Sequence, residues 1–218
     1  MVLDEFYKLN CGVRIPKVAL GTWQTPESTV GEVVAAAIDI GYRHIDTAIA
    51  YENERGVGKG IKRGLAETGM RRESLFVTTK IPAEVKTYKE AEACILESME
   101  RLDCDFIDLM LIHAPKPWCE MNTPDAPRYY AENLEVWRAL EDANASGKIR
   151  AIGVSNFDVD DLKNIMDNGL VMPAVNQIRV HVGHVPAEVI EFCQQNGIVV
   201  EAYSPNANGR LMDMLKQK

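Results

Sequence analysis

Four side chains of complementary acid–base character stand at or near the ends of short apolar runs. They are a carboxylate, Asp46, a phenol five residues later, Tyr51, an ammonium, Lys80, and an imidazole, His113. Lys80 beside Asp46 would form a partly desolvated ion pair. A phenol next to that ammonium has its anion stabilised, which moves a pKa of about 10 toward working pH and suits Tyr51 to general acid–base chemistry. His113 could donate a second hydrogen bond to an oxygen placed near the phenol. A carbonyl oxygen held between the two would be polarised and ready to accept a hydride. No side chain supplies a hydride, so this chemistry requires a nicotinamide cofactor. Ser155, Asn156 and Gln177 are suited to bonding a carboxamide, and Tyr203 could stack on the nicotinamide ring.

The elements that must position these groups are seven apolar runs: VALGTW (18–23), RHID (43–46), LFVTTK (75–80), FIDLMLIH (106–113), IRAIGVSN (149–156), AVNQI (174–178) and GIVVEAYS (197–204). Several are apolar on successive residues, as strands buried on both faces require. Thr22, Asp46, Lys80, His113, Ser155, Asn156, Gln177 and Ser204 all lie at their carboxyl ends, the end at which parallel sheets and barrels bind ligands. Between the runs, Val30, Val33, Val34, Ala37 and Ile38 recur at helical spacing, with Gly41 placed to end the helix. Asp158 is placed to cap a later helix and Pro186 to start another. Strand–helix alternation with helix-length crossovers implies a parallel sheet, which a doubly wound fold and a (β/α)8 barrel satisfy equally. No linker or repeat interrupts it, so residues 1–218 read as one domain. About a dozen residues follow Ser204, whereas a further strand with its crossover needs roughly 30.

A net charge of −8 offers no footprint for nucleic acid or an acidic membrane. The five cysteines, Cys11, Cys94, Cys104, Cys119 and Cys193, have no CxxC spacing and read as reduced thiols. No signal peptide or membrane-length apolar run is visible, which points to a cytoplasmic protein, expected as a monomer or weak homo-oligomer. RGVGKG at 55–60 is glycine-rich, but Ile61 stands where GxGxxG needs its third glycine, and a helix is the better reading. His181 and His184 lack a completing carboxylate or cysteine, so no metal site is expected, and His44 reads as a packed histidine.

Taken together, these motifs resemble the aldo-keto reductase family. GTWQ (21–24), the HIDTA…Y segment, TTK ending at Lys80, LIH ending at His113, GVSNF (153–157), NQ (176–177) and AYSP (202–205) occur in family order across essentially the whole chain. The resemblance implies a (β/α)8 TIM barrel, here ending after strand seven, that reduces aldehyde or ketone carbonyls with NADP(H) rather than NAD(H). It implies the catalytic tetrad Asp46, Tyr51, Lys80 and His113. Gly21, Thr22, Asp46, Ser155, Asn156, Gln177, Tyr203 and Ser204 are then cofactor-binding, and Trp23 and Trp118 line the substrate pocket. Ala114 replaces a tryptophan common in the family after the catalytic histidine, leaving Trp118 either to fill the gap or simply to pack. Arg179 and Val180 replace an acidic and an aromatic residue. The family's Lys-Ser pair and arginine for the adenosine 2′-phosphate do not occur. A non-catalytic cofactor-binding member of the same fold is the alternative reading.

Overall fold

A computed structural model of the chain describes residues 2–123 and 125–207. Of the closing stretch NANGRLMDMLKQK, residues 208–218 lie outside the described residues. The chain opens with an antiparallel hairpin, β1 (Phe6–Lys8) and β2 (Arg14–Pro16), which contains no apolar run and was not expected. Gly12 takes φ +88° in its turn, a conformation that glycine adopts without steric cost.

The seven expected strands then follow in order: β3 (Leu20–Gly21), β4 (His44–Asp46), β5 (Phe76–Ile81), β6 (Ile107–Ile112), β7 (Ile149–Ser155), β8 (Val175–Arg179) and β9 (Val199–Tyr203). They pair in that sequence, every neighbour parallel, and the sheet curls into a half-barrel with β3 and β9 at its edges. Among the described residues six α-helices connect or flank them: α1 (Glu27–Asp39), α2 (Glu54–Thr68), α3 (Tyr88–Leu102), α4 (Tyr130–Ala145), α5 (Val159–Asn168) and α6 (Ala187–Gln195). Asp158 caps α5 with a reciprocal capping box through Asp161. Gly41 takes φ +108° just past α1. No helix among the described residues is long and apolar enough to cross a membrane.

Burial on both sheet faces explains the near-continuous apolar runs. The outer face packs against the helices through Val34, Ile38, Ile95, Trp137, Leu140 and Ile165. The inner face holds a smaller cluster of Phe76, Leu109, Leu111, Ala151 and Val175, which Leu9 and Ile15 of the hairpin segment join. Phe76 and Val175 open their strands, whereas Leu111 lies one residue before the carboxyl end of β6, so the cluster runs along the inner face.

The glycine-rich 55–60 stretch lies within α2, where its role is close packing. A Cβ on Gly60 would come within 2.5 Å of the Gly31 carbonyl oxygen and 2.8 Å of Val34 Cβ; one on Gly56 would meet Val30 and the Glu27 carbonyl. The two helices can approach only because these positions lack side chains. Alanine in a free helix is favoured over glycine by about 1 kcal/mol, whereas here overpacking dominates. Gly60→Ala is therefore expected to destabilise the protein by about 1–3 kcal/mol in chemical denaturation; a stabilised variant would show that the helices are not held apart by sterics.

Candidate active site

Lys80 is fully buried at the carboxyl end of β5, and its ammonium is the hub of the polar cluster. Nζ donates to Asp46 Oδ1 at 2.6 Å, to the Thr47 carbonyl at 2.9 Å and to the Tyr51 hydroxyl at 3.4 Å. Strand register supplies the first contact, because β4 and β5 pair through Asp46 and Thr78, two residues before Lys80 on the same face. Tyr51 ends a short 3-10 turn after β4. Asn53 anchors this turn: its Oδ1 accepts from Thr47 Oγ1, and its Nδ2 donates to the Thr22 and Thr25 carbonyls. His113 follows β6 directly, and its ring stands edge-on to Tyr51 with centroids 5.7 Å apart.

The electrostatics differ in one respect from the expectation. Burial raises the Tyr51 phenol above its ordinary pKa, outweighing the lowering by the Lys80 charge, and Asp46 adds to the rise. Tyr51 thus keeps its proton at neutral pH, which fits a donor better than a base. Burial also acts against the Lys80 ammonium, but the Asp46 charge and the hydrogen bond that Lys80 donates to Asp46 hold its pKa above the usual lysine value. His113 is pushed down to about 3, by burial and then by Lys80, so its imidazole is neutral. Its Nδ1 is buried and finds no hydrogen-bond partner among the described residues.

These groups open onto a cavity of about 970 Å3, within the usual range for a ligand site. Gly21, Trp23, Asp46, Tyr51, His113, Trp118, Ser155, Asn156, Gln177, Tyr203 and Ser204 all line it, so nearly every residue selected from the sequence meets at one place. Two do not reach the cavity wall. Lys80 acts from behind Asp46 and Tyr51. Thr22 is buried, and both its N–H and its hydroxyl donate to the Asp46 carbonyl, so it ties strand ends together. Trp118 stands edge-on to His113 at 5.1 Å between ring centroids, and Ala114 is fully buried. Trp118 is thus both a cavity-lining residue and a packing partner of His113.

On the opposite side the carboxamide-type groups are linked to one another. Ser155 Oγ donates to the Gln177 carbonyl at 2.8 Å, and Asn156 Nδ2 donates to the His113 carbonyl at 2.9 Å. The Tyr203 hydroxyl donates to Asn156 Oδ1 at 2.7 Å, and Gln177 Nε2 donates to Asp46 Oδ2 at 2.8 Å. Asn156 and Ser204 adopt left-handed backbone, as do Gln24 and Glu52 on neighbouring loops. Such residues cost about 1–3 kcal/mol each and concentrate at functional sites. His44 is buried and bonded to Thr78 Oγ1, a packed histidine pushed down to about 4 by burial. No group of three or more potential metal ligands is found among the described residues.

Sequence reasoning passed over Glu201, which also lines the cavity. It is pushed up to about 7, chiefly by burial and then by the Asp46 charge, against the opposing effects of Gln177 and Lys80. The available signal was strand parity: in GIVVEAYS the lone acid lies two residues before Tyr203 and shares its face.

The Aldo/keto reductase family model matches residues 17–217. A glyoxal reductase of Bacillus subtilis is 41% identical over 212 residues, spanning 97% of this chain and 71% of that protein. An aldehyde reductase of Saccharomyces cerevisiae is 37% identical over 94% of this chain and 70% of its own length. The crystal structure of a Bombyx mori aldo-keto reductase in complex with NADP superposes with a TM-score of 0.81 at 38% identity, over 92% of this chain and 66% of that one.

Because the folded-state pKa of Glu201 lies above the roughly 4.3 of an unfolded glutamate, the native state binds the extra proton. Its contribution to stability is complete below that value and is lost as pH rises through about 7. Glu201→Gln cannot ionise, so it should gain stability relative to the parent between pH 5 and pH 8, measured by denaturant midpoints at each pH. A difference that does not change with pH would contradict the assignment.

Proposed function

The chain belongs to the aldo-keto reductase family, and from that starting point we propose that it is an NAD(P)H-dependent oxidoreductase that reduces aldehyde or ketone carbonyls to alcohols. The observation that carries this reading is the Lys80 ammonium placed between Asp46 Oδ1 and the Tyr51 hydroxyl, with a neutral His113 edge-on to the phenol. A substrate carbonyl oxygen between Tyr51 and His113 would accept hydrogen bonds from both. Tyr51 then donates its proton to that oxygen, and the adjacent Lys80 charge stabilises the phenolate left behind. Asp46 keeps the ammonium in place and charged. Trp23 and Trp118 form the apolar wall that excludes water from the reacting carbonyl.

A bound nicotinamide would supply the hydride. The cavity fits one: Gln177 has its amide nitrogen committed to Asp46 Oδ2, and its amide oxygen makes no hydrogen bond among the described residues, so it can accept from a carboxamide N–H. Tyr203, held by Asn156, offers a ring face for stacking. NADP(H) over NAD(H) is supported by relatives solved with NADP and with NADPH. Small carbonyl substrates are supported by the glyoxal and aldehyde reductases among the relatives. We take residues 1–218 as part of one barrel domain.

Tyr51→Phe removes the proton donor and little else. It should lower kcat by about 10²–10⁴-fold while dinucleotide affinity, followed by fluorescence quenching, stays near that of the parent. An unchanged kcat would exclude Tyr51 as the donor.

A further inference from the structure

We infer that Glu201 is a positioning residue that, together with Asp46, holds the Gln177 amide in the one orientation that can bond a nicotinamide carboxamide. This deepens, and rests on, the function proposed above. β8 and β9 pair in parallel with Gln177 opposite Glu201. Val199, two residues before Glu201, packs in the inner cluster with Leu109, Leu111 and Val175, so this face of β9 points into the barrel. Glu201 lines the same cavity as Gln177, Asp46 and Tyr203.

Two further observations separate Glu201 from an ordinary structural acid. No lysine, arginine or histidine among the described residues lies within ion-pair distance of it, although buried acids are normally paired. Its Oε2 is buried without any hydrogen-bond partner among the described residues. An arrangement of this kind costs stability, so its retention in the cavity points to recognition. Its cross-strand neighbour on that face is Gln177, whose side chain opposes the rise in the Glu201 pKa.

An amide has two N–H donors on nitrogen and only acceptor capacity on oxygen. Asp46, bound to the Lys80 ammonium, offers Gln177 an accepting oxygen at 2.8 Å. Glu201 keeps an accepting oxygen in either protonation state. One donor of Nε2 is thus taken by Asp46 and the other is left for Glu201 across the strand pair. Flipping the amide would set its oxygen against the Asp46 carboxylate and, once pH exceeds about 7, against the Glu201 carboxylate as well. The Gln177 oxygen is left as an acceptor for the ligand. A carboxamide, with its own N–H2, satisfies it; an acetyl group in the same place does not.

The test compares calorimetric titrations of the intact protein with NADP+ and with its 3-acetylpyridine analogue, in which a methyl ketone replaces the carboxamide. The parent should bind NADP+ the more tightly by about fivefold, the worth of one hydrogen bond. Glu201→Ala should bring the ratio of the two dissociation constants close to one. Glu201→Gln, whose amide oxygen can still accept from Gln177, should restore most of the preference. Equal weakening toward both ligands in Glu201→Ala, with the ratio preserved, would reduce Glu201 to scaffolding and overturn the inference alone, as would a parent that binds both equally. A parent that binds neither dinucleotide would overturn the proposed function, and the inference with it.

Discussion

Removing a lysine ammonium from water is costly unless its charge is met, and here it is met by Asp46 at 2.6 Å, the Thr47 carbonyl and the Tyr51 hydroxyl. The other features of the site follow from that pairing. The same ammonium that Asp46 secures is the charge that would stabilise the Tyr51 phenolate, and it also helps keep His113 neutral. Asp46 in turn accepts from Gln177, so the proton-donor side and the carboxamide side of the cavity share one carboxylate.

The fold supplies this pairing through register and not through sequence proximity. Asp46 and Lys80 lie 34 residues apart, yet parallel pairing of β4 with β5 brings their strand ends together. Further strands add His113, Ser155, Gln177 and Tyr203 in turn, each at a carboxyl end. The hairpin joins the inner cluster through Leu9 and Ile15, and Tyr7, Ile15 and Lys17 also line the cavity onto which the polar strand ends open. Loop geometry then does the fine placement: Asn53 ties the Tyr51 turn to the loops after β3 and β4 through three hydrogen bonds.

Much of this was legible in residue order. A parallel strand buried on both faces reads as an unbroken apolar run, so FIDLMLIH and LFVTTK announced themselves, as did the polar groups that end them. The β1–β2 hairpin was not legible because Phe6, Tyr7 and Lys8 are all exposed and show neither a buried face nor an apolar run. The Tyr51 pKa direction was misjudged because the neighbouring charge can be read from sequence whereas the depth of burial, the larger effect here, cannot. Thr22 sits at a strand end like the residues that line the cavity, and both its donors turn back to the Asp46 carbonyl, a pairing that no spacing rule reveals. Glu201 was hidden inside an apolar run, where only its parity with Tyr203 marked its direction. The role of Trp118 beside His113 depends on a loop geometry that no spacing rule encodes.

The central claim is that Asp46 and Lys80 act as one desolvated unit, and a double-mutant cycle on folding stability tests it most directly. Lys80→Met strands a carboxylate and Asp46→Asn strands an ammonium, so each alone should be costly, whereas the double variant leaves neither charge behind. The account predicts that the double variant loses less stability than the two single losses added together, by at least about 1 kcal/mol. Additive losses would show that the two charges fold independently of each other, contradicting the interaction on which the site is built.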